Sequence, residues 1–387
     1  MEILTPRQIL DVLVGFPTLS RVSNLALIDW LEAYLAGHGV QCFRHWNEDR
    51  QKAALMAHAG PWQEGGIVLS GHSDVVPVDG QNWASDPWQV SERDGRLYGR
   101  GTCDMKGFVA LAAWALVEAQ RRGIARPLQL ALSYDEEIGC LGAPAMLQTM
   151  RRVLPKAQLA IIGEPSRMQV ITGHKSGTGF DVHVKGYEIH SALMPQGVSA
   201  VMEAARLIAW VNAQNDRLAV TPPTPLAARF DPPFTTLHIG QIAGGTAENI
   251  TAADCHFSVE MRVIPGEDPS AWEAAFAAEA QLLHAALVAR RPEAGVYLTR
   301  FTAVPPLVPE PSSAHSAEAL ACQLTGHNSS GVVSYLTEAG QFQAEGYSAV
   351  VCGPGDIAQA HQPDEYIELA QFEAGYHFMQ RLLDHLQ

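Results

Sequence analysis

Apolar residues fall in two rhythms along this chain. Short runs that are apolar on both faces, at residues 127–134 (PLQLALSY) and 159–163 (LAIIG), predict strands buried inside a sheet. Residues 42–46, 53–57 and 66–71 read as three further strands. Helical patterning covers residues 6–38, broken at 15–17, then 109–121, starting just after Lys106-Gly107, then 142–154. Strands alternating with helices predict a mostly parallel α/β sheet covered on both sides.

The pattern changes near residue 177. Strands are expected at 179–184, 235–241, 252–263 and 296–303, and helices at 198–214 and 270–289. That βαββαβ order describes a ferredoxin-like α+β sandwich, helices on an antiparallel sheet. The economical organisation is one domain made of 1–176 and 305–387, interrupted by an inserted domain over 177–304. Residues 305–311 are proline-rich and fit a linker.

Composition narrows the function classes. Lys+Arg is 26 and Asp+Glu is 41, so the net charge is 26 − 41 = −15. No basic stripe stands out, which argues against nucleic acid and leaves a surface suited to cations. The longest clean apolar run, from Phe108 to Val117, is too short to cross a bilayer, so no membrane partner is expected. The six cysteines show no CxxC spacing, against a disulfide framework or a cysteine zinc knot. With no signal-peptide pattern at the N-terminus, a reduced, cytoplasmic setting is expected.

Candidate chemistry sits where apolar runs stop. His72 and Asp74 follow the run at 66–71 and, two apart, point the same way in extended chain. Asp104 lies among Gly99, Gly101 and Gly107, which let the backbone turn sharply. Asp135, Glu136 and Glu137 directly follow a buried strand, where three carboxylates are costly without a cation. Glu164 ends another strand, and His361 follows a strand and a glycine turn. Taken singly, each has an ordinary alternative: a surface turn for His72 and Asp74, a helix N-cap for Asp104, an acidic helix opening for 135–137. Taken together, carboxylates and imidazoles at the strand ends of one sheet suit a pair of metal ions. A GxGxxA match at Gly353, Gly355 and Ala358 contains Pro354, is followed by Pro363 and heads no βαβ unit. HExxH, GxSxG and Walker A patterns are absent.

Longer strings carry a resemblance. GHSDVVPVDGQNW (71–83), LYGRGTCDMKGF (97–108), YDEEIGCLGA (134–143), IIGEPSRM (161–168), GYEIHSAL (186–193), IAGGTAENI (242–250), TEAGQF (337–342) and CGPGDIAQAHQPDEY (352–366) resemble the co-catalytic zinc aminoacylase/carboxypeptidase family. The resemblance implies a metal-dependent amide hydrolase acting on small N-acyl amino acids, with two zinc ions per subunit that cobalt could replace. It implies that Asp104 bridges the ions, that His72 and Glu164 complete one site, and that His361 and Glu137 complete the other. By the same resemblance Asp74 orients the His72 ring and Glu136 is the general base. His190 would reach the partner's site in a homodimer, with Asn249 and Arg262 on the substrate α-carboxylate. Residue types alone leave His190 a solvated loop histidine and Arg262 a surface strand arginine. The rival from another class, a metal-binding protein without catalysis, would have no use for a base at Glu136.

Overall fold

The structure, a computed structural model, describes residues 2–301 and 303–387. Met1 and Thr302, at the start of the expected first domain and near the end of the expected strand 296–303, lie outside the described residues. The chain divides into two compact units. One comprises Met1–Gly173, Leu307–Val332 and Thr337–Gln387; the other comprises His174–Pro306 and Val333–Leu336.

In the first unit the chain opens on helix α1 (Pro6–Val14). Thr5 and Gln8 exchange side-chain and backbone hydrogen bonds in a capping box, and Pro6 starts the first turn where no donor is needed. Ile9, Leu10, Leu13 and Val14 then fall on the buried face. Helices α2 (Leu25–Gly37), α3 (Lys106–Arg122) and α4 (Ala143–Val153) follow. They pack around strands β1 (Gln41–Trp46), β2 (Ala53–Ala59), β3 (Ile67–His72), β6 (Leu128–Ser133), β7 (Leu159–Pro165), β8 (Val170–His174), β14 (Ser330–Val333) and β15 (Ser348–Gly353). These form one sheet in the order β1-β2-β6-β3-β7-β15-β8-β14. Its middle, β6-β3-β7-β15, is parallel; β1-β2, β2-β6 and β15-β8 are antiparallel. The short strands β4 (Ser91–Arg93), β5 (Arg96–Tyr98) and β16 (Tyr366–Glu368) make a small separate sheet.

Helix α3 is buried from Lys106 through Ala119, and it begins three residues before the expected 109, immediately after the Asp104 loop. Close contact with the sheet needs small residues. A Cβ on Gly163 of β7 would lie 2.0 Å from the Phe108 ring. The helix ends at Gly123, whose left-handed φ of 67° suits a C-cap without a side chain. Helices α7 (Ala317–Thr325), α8 (Ala339–Ala344) and α9 (Leu369–His385) complete the unit.

The second unit is built on the antiparallel strands β9 (Ser176–Lys185), β10 (Thr236–His238), β11 (Ile242–Gly244), β12 (Asp254–Val263) and β13 (Gly295–Arg300). Helices α5 (Ala200–Ala219) and α6 (Pro269–Arg290) supply its core together with one sheet face, including Val182, Val184, Phe257, Val259 and Phe276. Of the strand expected over 235–241, residues 236–238 form β10; β11 lies just beyond that span, and the two pair with different parts of β12. The proline-rich stretch after α5 is anchored by buried Lys175, whose Nζ donates to the carbonyls of Pro232 (2.9 Å) and Phe234 (2.8 Å).

Candidate metal centre

Parallel neighbours end at one rim, and the acids lie there. His72 is the last residue of β3, and Glu164 lies near the end of β7. Asp135, Glu136 and Glu137 follow β6, while His361 stands on the loop after β15. Asp104 arrives from the loop that starts α3. The two Asp104 oxygens face opposite histidines: Oδ1 lies 3.2 Å from His72 Nε2, and Oδ2 lies 3.3 Å from His361 Nε2. Glu164 Oε1 lies 3.6 Å from the same His72 nitrogen, and Glu137 Oε2 lies 2.8 Å from the same His361 nitrogen. Ligand atoms of His72, Asp104 and Glu137, and of His72, Glu136 and Glu164, each gather within 4.8 Å.

The surroundings fix how these groups present themselves. His72 Nδ1 lies 2.8 Å from the Asp74 carbonyl, which can only accept, so Nδ1 carries a proton and Nε2 is turned toward the cluster. Orientation of the ring thus comes from the Asp74 main chain; the carboxylate stands 3.7 Å from Nδ1. That carboxylate accepts instead from Ser20 Oγ (2.8 Å), the Glu136 amide (3.1 Å) and the Glu137 amide (3.4 Å), so it positions both glutamates. Asp135 turns away at φ 54° to bind Lys52 Nζ and the Arg21 amide, which leaves Glu136 and Glu137 for the centre.

Burial sets the electrostatics. It pushes the Glu136 carboxyl up to about 8, helped by Glu137, Glu338 and Asp104 against the pull of His72. Burial and Asp104 raise Glu137 to about 7, and burial with Asp104 and Glu136 holds Glu164 well above the usual carboxylate range. Asp104 moves the other way: burial would raise it, but hydrogen bonds from His361 and His72 hold it low. Hydrogen bonds to Asp104 and Glu137 lift His361 to about 10. Burial pulls His72 down, yet Asp104 and the surrounding carboxylates prevail and keep it well above its ordinary value. Carboxylates this buried and this close favour their protonated forms unless a positive charge stands beside them. Among the described residues, Glu137 Oε1 is moreover buried with no hydrogen-bond partner, a costly state that a cation would relieve. This donor set of carboxylate oxygens and imidazole nitrogens fits divalent metal ions.

Comparison with known proteins decides the family. The model of peptidase family M20/M25/M40 matches residues 68–385. The chain belongs to that family. Curated relatives of this M20 protein include acetylornithine deacetylases from Myxococcus xanthus and Proteus mirabilis (strain HI4320). The first is 36% identical over 93% of this chain and 92% of the relative; the second is 33% identical over 94% and 90%. Among solved structures, an M20 family metallo-carboxypeptidase from Sulfolobus solfataricus superposes with a TM-score of 0.78 at 17% identity, covering 99% of both chains. A Bacillus subtilis M20 peptidase described as dinuclear metal binding gives 0.65 at 14% identity, over 98% of this chain and 97% of that one. The M20 fold, with its large, mostly parallel central sheet, is thus the fold of this chain.

Several residues that hold this rim cluster in place were not legible as site residues. Glu365 accepts from the amides of Cys103 (2.9 Å) and Asp104 (3.0 Å) and pairs with buried Arg100 at 2.7 Å, so it holds the Asp104 loop. Glu338 lies buried on Ser133 and Ser70, raised to about 7 by burial. Cys140 Sγ donates to Glu136 Oε1 at 3.2 Å. The only signal for the two glutamates was their place in the strings TEAGQF and AHQPDEY. His190, Asn249 and Arg262 belong to the second unit. His190 bridges Ile250 through its backbone, beside Asn249, and both side chains are exposed. His190 Nδ1 accepts from the Ala192 amide (3.1 Å), so the ring proton sits on Nε2. Arg262 pairs with Glu260 at 2.5 Å.

Proposed function

We propose that this M20 hydrolase removes the acetyl group of N2-acetyl-L-ornithine, releasing L-ornithine and acetate, and serves arginine biosynthesis in the cytoplasm as a homodimer. The observation that carries a two-metal reading is Asp104, whose two oxygens each face a different histidine–glutamate pair. Asp104 would be shared, with His72 and Glu164 on one ion and Glu137 and His361 on the other, zinc being the best match to these donors. Two such ions would polarise the amide carbonyl and acidify water at the rim. Glu136 stands among these groups without belonging to either histidine–glutamate pair. Its carboxylate is assigned to take a proton from the attacking water and deliver it to the leaving amine. The raised carboxyl suits both halves of that transfer, since a base poised near neutrality can give back what it takes.

The inserted segment 177–304 is assigned as the lid and dimerisation domain. His190, with Nε2–H as donor, suits a developing oxyanion, and Asn249 and Arg262 suit the substrate α-carboxylate. The choice of acetylornithine rests on the names of relatives 31–36% identical over most of the chain. Sister substrates of the same chemistry, such as succinyl-diaminopimelate or another N-acyl amino acid, are the alternative. Turnover of acetylornithine, succinyl-diaminopimelate and acetylmethionine by the zinc-loaded protein separates them. A kcat/KM highest for acetylornithine supports the proposal; preference for either competitor removes it while leaving the hydrolase chemistry standing.

A further inference from the structure

The helices of the second unit cover only one face of its sheet. Along β12 the buried Cys255, Phe257, Val259 and Met261 alternate with Asp254, His256, Ser258 and Glu260, which form a polar open face. In the β9/β12 ladder His183 lies directly opposite His256, and Lys185 opposite Asp254. The two imidazoles stack, with centroids 4.2 Å apart and planes within 10°. Asp254 Oδ1 accepts from His183 Nε2 at 2.7 Å, a diagonal contact, although Lys185 is the residue straight across. One ligand atom from each of His183, Asp254 and His256 lies within 4.8 Å of the other two.

We propose that His183, Asp254 and His256 form a further binding site for a late first-row divalent cation, zinc in the first instance. Two imidazole nitrogens with one carboxylate oxygen suit zinc, copper or nickel rather than magnesium or calcium, which prefer all-oxygen sets. Backbone pairing already brings the ligands together, so little ordering entropy is lost when the ion binds. Two protonated rings this close would repel, whereas a metal takes both as neutral donors. Three protein ligands leave one tetrahedral position for water or a small ligand. His183 and His256 also line a cavity of about 940 Å³, together with Asp181, Ser258 and Tyr297, where that position has room. An occupied site ties β9 to β12, and binding only the folded sheet raises its stability.

The test counts zinc bound per full-length chain after equilibrium dialysis, in wild type and in a His183→Ala/His256→Ala double variant. The wild type is expected to hold one zinc more than the double variant, and Asp254→Asn to bind that ion more weakly. Zinc should also broaden or shift the His183 and His256 ring signals in NMR of the wild type. Equal zinc counts in the two proteins overturn the proposal. The readout is a difference, so it stands whatever number of ions the rim of the first unit holds. A His183→Gln/His256→Gln pair, which keeps side-chain bulk on both strands, replaces the alanine pair should that variant misfold, and the same two outcomes decide.

Discussion

Two clusters of side chains able to ligate metal differ in where they sit. At the rim of the first unit, residues from five separate stretches converge and are mostly buried, and their proton affinities are displaced in both directions. On the open face of the second unit, three residues from two adjacent strands meet at the surface, where His183 and Asp254 keep 33% and 57% of their side-chain exposure. The difference teaches what burial adds. Exposed ligands need only proximity, because water can solvate them when no ion is bound. Buried carboxylates must have a counter-charge, and in its absence they hold protons. Uneven burial therefore displaces proton affinities at the rim.

The largest effect expected at the rim comes from the residue common to both halves. Asp104→Ala should abolish metal retention at both positions and leave no measurable amide hydrolysis, read by metal analysis and turnover on the same sample. Retention of full metal content would show that the two histidine–glutamate pairs do not share a carboxylate. Next, Glu136→Gln should leave metal content unchanged and lower turnover by roughly 10²–10⁴. Near-normal activity in that variant would remove Glu136 as the proton carrier.

Such tests touch residues that could be named before the fold was known, and the reason is physical. His72, Glu136, Glu137 and Glu164 each interrupt or end an apolar run, and charge at the end of a buried strand stands out from its neighbours. The same contrast located β3, β6 and β7. Glu365 and Glu338 carry no such contrast: their partners, the Asp104 amide and Ser133 Oγ, lie 261 and 205 residues away in sequence. The role of the Asp74 carboxylate was likewise hidden, because it depends on main-chain amides of Glu136 and Glu137 rather than on residue type. Three-residue strands such as β4, β5 and β16 are too short for period-two patterning to register.

A pH experiment sharpens the contrast. In the metal-free protein Glu137 and Glu136 hold protons up to about 7 and about 8, above the ordinary 4.5, and His361 up to about 10, above 6.5. Stability from these protonations is full below the ordinary values and is lost as pH rises through 7, 8 and 10. Asp104, held low, contributes in the opposite sense: its stability is full above the ordinary 3.8 and is lost only as the pH falls into strong acid. Metal binding displaces the same protons and so tightens as pH rises. The rise in Tm on adding zinc should therefore grow between about pH 6 and pH 9, and calorimetry in buffers of different ionisation heat should record proton release. A zinc-induced Tm shift independent of pH would contradict the proton-for-metal exchange.

The smallest effect belongs to Cys140. Its thiol, kept protonated by burial and by Glu136, donates a weak hydrogen bond to Glu136 Oε1. Cys140→Ala removes about 0.5–1 kcal/mol of that support and should lower kcat by about two- to fivefold with KM unchanged. A change in KM alone would place Cys140 in substrate binding instead of alignment of the base.

The most direct measurement is anomalous diffraction at the zinc edge from crystals grown with zinc. Two peaks, roughly 3.5–4 Å apart, should flank the Asp104 carboxylate, one beside His72 and Glu164 and the other beside His361 and Glu137. Well-ordered crystals with a single peak at the rim, or with no peak touching Asp104, would contradict the two-ion centre.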